Sequence, residues 1–118
     1  MTLDGTQEIA RHILPDGRTL IWRDEGSPYD NVLHIYLFAT DGHLADALEA
    51  GAAFTTNILS FHTEGQDVFD FTFFANEEMY RLTVGREPKL RMPFRLPLGF
   101  RYKSPLMRHL LSVSVVKG

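Results

Sequence analysis

Hydrophobic residues recur at every second position in several short stretches, and the clearest of these is Val32–Ala39. There, apolar side chains from Leu33 to Leu37 alternate with His34 and Tyr36. A β-strand points successive side chains to opposite faces, so this stretch predicts a central strand with one apolar face toward the core.

Similar patterns predict further strands on both sides of short turns. Leu14–Arg18 contains Pro-Asp-Gly, in which proline presets φ and glycine tolerates positive φ, so it predicts a hairpin between Glu8–Leu14 and Arg18–Asp24. Pro93 cannot donate to a ladder, so the strand that contains it is an edge or irregular one. The remaining predicted strands are Phe54–His62, Asp67–Ala75, Met79–Val84 and Lys89–Arg95.

Two stretches predict short helices. Asp41 can cap a helix over about Gly42–Ala50, because Leu44, Ala47 and Leu48 fall on one helical face. Ser104 before a proline is a typical helix start, and the leucines that follow could bury one face. A strand through Leu110–Val116 with no helix is the alternative for this last stretch.

These elements predict an α+β fold. Its sheet is predicted to be largely antiparallel and meander-like, with about six or seven strands, and to be either open or curved and barrel-like. One or two short helices accompany the sheet. The 118 residues fit one domain, 1–118. The predicted core residues are Trp22, Leu33, Ile35, Leu37, Ile58, Phe71 and Phe73.

Charge is segregated along the chain. Residues 1–78 carry three arginines and 14 acidic residues, whereas residues 79–118 carry nine lysines and arginines and one acidic residue. Such asymmetry predicts an interaction surface, unless basic and acidic strands neutralise each other within the fold. The pI of about 5.9 argues against a nucleic-acid partner.

The sequence carries none of the common catalytic motifs. It has no cysteine, which excludes disulfides, thiolate metal sites and cysteine nucleophiles. It also has no phosphate-binding glycine loop, no G-x-S-x-G and no H-E-x-x-H. We therefore expect no cofactor and lean against an enzyme. No signal peptide or membrane-length apolar run is visible, so a cytoplasmic protein without membrane contact is expected.

The leading functional hypothesis is a non-enzymatic protein-binding or self-associating module. Arginine and aromatic residues are enriched at interface centres, and arginine pairs bidentately with carboxylates. The partner would be a protein with an acidic surface or another copy of this chain. The predicted partner-binding residues are Arg91, Arg95, Phe100, Arg101 and Tyr102.

The alternative is a small-ligand-binding domain or a small enzyme that uses a pocket in the concave face of the sheet. Imidazole, phenol and carboxylate groups can bind ligands or transfer protons. The same residues are also common as solvated turn residues or hydrogen-bonded core residues. The candidates are His34, Tyr36, His62, Glu64 and Asp67.

Overall fold

A computed structural model describes residues 7–24, 32–51, 58–74, 78–90, 96–103 and 108–116. Within these ranges the chain forms nine β-strands. In chain order, β1 to β9 are Gln7–Ile13, Thr19–Asp24, Leu33–Phe38, Leu44–Ala50, Ser60–Glu64, Val68–Thr72, Met79–Leu90, Phe100–Tyr102 and Arg108–Val115.

The strands form two antiparallel sheets, which we call the first and the second sheet. The first has the order β1-β2-β3-β4-β8 and the second has the order β5-β6-β7-β9. The predicted α+β class is wrong, because the described ranges contain strands and no helix. The barrel-like alternative is wrong as well, since each sheet ends in two different edge strands rather than closing on itself.

The hairpin predicted at Leu14–Arg18 is confirmed. The Leu14 N–H donates to the Arg18 carbonyl oxygen at 2.8 Å, and the Gly17 N–H donates to the Leu14 carbonyl oxygen at 2.9 Å. Gly17 has a φ of 90°, the positive value that the Pro-Asp-Gly sequence anticipates. The turn joins β1 to β2.

The helix predicted over Gly42–Ala50 is wrong, because the chain makes a second hairpin turn there and then β4. The Ala39 N–H donates to the His43 carbonyl oxygen at 2.8 Å, and Gly42 has a φ of 92°. The turn thus repeats the geometry of the first one. β4 then pairs with β3 on one side and β8 on the other. These two ladders satisfy its backbone and override the helix propensity of its alanines and leucines.

The later strands differ from the prediction mainly at their ends. β7 continues to Leu90 and so includes the start of the predicted Lys89–Arg95 strand, whose other residues lie outside the described ranges. The predicted helix start at Ser104 also lies outside them. Leu110 and Leu111 belong to β9, so the strand alternative for this stretch is confirmed.

One apolar core lies between the two sheets and takes side chains from both. Trp22 of the first sheet meets Phe71 of the second with ring centroids 5.2 Å apart. Every predicted core residue is buried except Ile58, which is 76% exposed. Ile58 precedes β5, and its backbone N–H donates to the Phe73 carbonyl oxygen of the second sheet. Its side chain nevertheless faces solvent, so the prediction that Ile58 is a core residue is wrong.

Candidate functional site

The far end of β7 pairs irregularly with its neighbour β9. Up to Val84 the strand pairs residue by residue with β9, but the register then shifts: Val84 faces Leu111, and the next pair joins Lys89 to His109. The four residues 85–88 of β7 therefore stand opposite the single residue Leu110. A Cβ on Gly85 would lie 3.3 Å from the Leu110 carbonyl oxygen, so the bulge favours glycine at its start. The sequence predicts separate strands before and after this Gly-Arg-Glu-Pro sequence, whereas the structure has one strand, β7, with a bulge there.

Basic residues concentrate at this end of β7 and on the facing end of β9. Leu90 pairs with Arg108 of β9, and its side chain is 60% exposed. All of residues 86–90 and residue 108 are exposed. We call the following group the basic tip: Arg86, Lys89, Leu90 and Arg108. Within the described part of the chain, none of its three cations forms an ion pair.

Other cations of the C-terminal third are paired with carboxylates on neighbouring strands of the same sheet. Arg81 donates to Asp70 through Nε at 2.8 Å and Nη2 at 3.0 Å. These bonds and the nearby guanidinium charge lower the pKa of the Asp70 carboxyl below its usual value. Arg101 Nε donates to Glu49 Oε1 at 2.6 Å. Folding thus neutralises part of the charge segregation and leaves the basic tip uncompensated.

The residues predicted to bind a partner do not share one surface. Phe100 is buried in the core at 6% exposure, and Tyr102 is half-buried with its hydroxyl donating to the Leu111 carbonyl oxygen. The Arg101 side chain lies on the face of β8 opposite to Phe100 and Tyr102, and it pairs there with Glu49 of β4. Arg91 and Arg95 lie outside the described residues.

Two of the predicted ligand-binding residues do meet. His34 and Tyr36 lie on the face of β3 that points away from the shared core, both buried, with their rings parallel and 6.0 Å apart. Lys103 Nζ donates to His34 Nδ1 at 3.0 Å and to the Tyr36 hydroxyl at 2.8 Å. Glu49 Oε2 lies 3.9 Å from His34 Nδ1. The lysine had no signal in the sequence, since it is 69 residues from His34.

The other three ligand candidates lie on the second sheet, away from this pair. His62 and Glu64 are exposed residues of β5, and Glu64 Oε1 accepts a hydrogen bond from His12 Nε2 at 2.7 Å. Asp67 lines a shallow pocket of about 70 Å³, together with arginines 18 and 86. Hence the five candidates form no single site. In the described ranges, no group of three histidine and carboxylate side chains is placed to hold a metal ion.

Sequence analysis missed a buried polar junction between the sheets. Asp46 of β4 accepts hydrogen bonds from His109 Nδ1 at 2.9 Å and from the N–H groups of Leu110 and Leu111 at 2.8 and 3.0 Å. The Tyr102 ring stacks on His109 at 3.5 Å between centroids. The Asp46 and His109 side chains are 3% and 1% exposed, so this junction has no access for a substrate and is structural.

The fold and these sites define a two-sheet, all-β protein with an exposed basic tip. No protein-family model matches the chain, and no curated protein or solved structure matches it either. Across the described ranges, no helix has the length and apolar character required to cross a membrane.

Proposed function

We propose that this protein is a non-enzymatic protein-binding module whose basic tip binds a partner with an acidic surface. The observation that carries the proposal is the contrast among its cations. Arg81 and Arg101 are paired with carboxylates, whereas Arg86, Lys89 and Arg108 make no ion pair within the described residues. Unpaired cations beside an exposed leucine supply both charge complementarity and apolar contact to a partner.

The exposure of the tip supports the same function. Residues 85–88 form a bulge in the ladder, and residues 86–90 are exposed. Glu87 is the exposed acid beside the three cations of the tip, so the net charge there is positive. Exposed charge of one sign increases association rates with oppositely charged surfaces, and salt reduces the effect.

Binding to a labelled oligoglutamate peptide, followed by fluorescence anisotropy, tests this proposal. The double variant Arg86→Gln/Lys89→Gln should bind about tenfold more weakly at low salt, because it removes two uncompensated charges. The difference should shrink at about 0.5 M salt, where exposed charges are screened.

Arg81→Gln/Arg101→Gln is the matched control, since it changes the net charge by the same amount but removes cations that are already paired. It should leave the affinity within about threefold of the original. Equal losses in both double variants would show attraction to net charge alone and would contradict a specific tip.

A further inference from the structure

The edge strand β1 is paired on one side only within the described residues. It bonds to β2 and stands at the end of the first sheet. An edge strand presents backbone N–H and C=O groups that can pair with another chain. β1 contains no proline or lysine, and it exposes two isoleucines, Ile9 at 44% and Ile13 at 75%.

A bulge in β1 places two opposite charges on the same face. Glu8 faces Arg23 of β2, but the next pair is Ala10 with Trp22, so Ile9 is the additional residue. As a result, Glu8 and Arg11 both point away from the core, although they are three residues apart. Arg11 donates to the two Glu8 oxygens at 3.0 and 2.8 Å.

This face pattern limits how β1 can pair with a copy of itself. In an antiparallel pair, opposed side chains share a face. Ile9 is left unpaired in each copy, as it is against β2, and two registers then satisfy this rule over five pairs of β1 residues, one centred on Ala10 and one centred on Arg11. The register centred on Arg11 would set two arginines against each other. The register centred on Ala10 sets Glu8 against Arg11 twice, with opposite charges and a small residue at the centre.

We propose that two copies of this chain associate through antiparallel pairing of their β1 strands, with Ala10 on the two-fold axis and Glu8 of each copy opposite Arg11 of the other. The pairing extends the first sheet across both copies. It is isologous, because each copy contributes the same surface. It is independent of the basic tip, which lies on the second sheet.

Light scattering on the purified chain tests the association directly. At concentrations up to about 1 mM the mass should approach twice the 13.5 kDa of one chain. The single variants Glu8→Arg and Arg11→Glu should each shift dimerisation to at least about tenfold higher concentration, because like charges then meet across the axis. Circular dichroism checks that both variants keep their sheets.

Mixing the two single variants separates the interface from a role within the chain. Neither variant regains its own internal ion pair in the mixture. Across the axis, however, each position 8 now meets a position 11 of opposite sign, so a heterodimer should form. A mixture that stays monomeric while the unaltered chain dimerises would overturn this register.

The absence of cysteine allows a second, covalent test. Opposed residues in an antiparallel pair have Cα atoms about 4.5–5.5 Å apart, within the range that a disulfide spans. Ala10→Cys should therefore form a disulfide-linked dimer on mild oxidation, and Ile13→Cys should not, although Ile13 is the more exposed residue. Equal cross-linking of both variants, or a monomeric mass at all concentrations, would refute the proposal.

The two proposals can fail separately. Arg86→Gln/Lys89→Gln should leave the mass unchanged while it weakens oligoglutamate binding. Arg11→Glu should prevent dimerisation and leave oligoglutamate binding unchanged. If the tip variant instead abolishes dimerisation, the copies associate through the tip and the β1 interface is wrong.

Discussion

Two histidine–carboxylate bridges join the sheets, one at each flank. At one flank His109 of β9 donates to Asp46 of β4, and the side chains are 1% and 3% exposed. At the other flank His12 of β1 bonds to Glu64 of β5, and the side chains are 16% and 55% exposed. The same two chemical groups therefore meet in the protein interior on one flank and in contact with water on the other.

The surroundings of the bridges differ as much as their exposure. Besides its histidine, Asp46 accepts backbone hydrogen bonds from Ala47 and from two residues of β9, so one carboxylate serves four donors. Among the described residues, Glu64 has one donor, His12, whose other ring nitrogen accepts the Trp22 indole N–H at 3.0 Å. Exposed ion pairs contribute little, whereas breaking a buried one leaves groups without partners. We therefore expect the buried bridge to hold the sheets together and the exposed bridge to add little.

Removing the buried carboxylate should produce the largest effect. Asp46→Ala leaves one imidazole and three backbone N–H groups without their acceptor and should lower the free energy of unfolding by about 3–5 kcal/mol. Urea unfolding followed by tryptophan fluorescence measures this change. A loss below about 1 kcal/mol would put this bridge on the level of an exposed one.

Removing the histidine from the same bridge should cost less. His109→Phe keeps a ring against Tyr102 but loses the hydrogen bond to Asp46, which retains its three backbone donors. The expected loss of stability is about 1–3 kcal/mol in the same urea experiment. A loss equal to that of Asp46→Ala would mean that the histidine, not the carboxylate, is the centre of the junction.

A carboxylate paired within one sheet gives an intermediate reference. Arg81 lowers the pKa of Asp70, so this carboxylate stabilises the fold at every pH above its unfolded value of about 3.9. Asp70→Asn should cost about 1 kcal/mol or less at neutral pH. The stability difference from the unaltered chain should shrink as the pH falls below about 4, where the carboxylate takes up a proton. Unfolding midpoints from pH 2 to 7 measure it, and a constant difference would rule out this ion pair as the source.

The exposed bridge should show the smallest effect. Glu64→Ala, the counterpart of Asp46→Ala, should change the free energy of unfolding by at most about 0.5 kcal/mol, since water can replace the lost acceptor. Urea unfolding in low and high salt should give the same result, because little of the pair's energy remains to be screened. A loss close to that of Asp46→Ala would abolish the distinction between the flanks.

The sequence pattern predicts secondary structure correctly where local residues alone determine it. Pro-Asp-Gly predicts the first turn, and alternation at Leu33–Leu37 predicts a central strand. The second turn carries the same Asp-Gly pair, at Asp41-Gly42, but the helical spacing of the residues after it outweighed that signal. Whether Leu44–Ala50 is a helix or a strand depends on neighbours that join it from β3 and β8, and no local window contains them.

The sites were predictable only in part for the same reason. The sequence shows that the last third of the chain is basic, and it predicts a break at residues 85–88, where the structure has a bulge within β7. It does not show which cations find carboxylates. Arg81 pairs with an acid 11 residues away, and Arg101 pairs with one 52 residues away. Only the folded structure therefore shows that the charges of Arg86 and Lys89 have no carboxylate partner among the described residues. Asp46 and His109 are separated by 63 residues, and neither has a sequence feature that points to the other.

The place of β8 in the first sheet has a consequence for how the chain folds. The first four strands are joined in sequence, so their contacts can form early from neighbouring segments. β8 adds to β4 only after a detour of 50 residues, the separation of Ala50 and Phe100, and the detour includes three strands of the other sheet. Closing so long a loop carries a larger entropy cost than closing a hairpin. We therefore expect the return of the C-terminal strands to limit the folding rate, with both sheets completed in the same step.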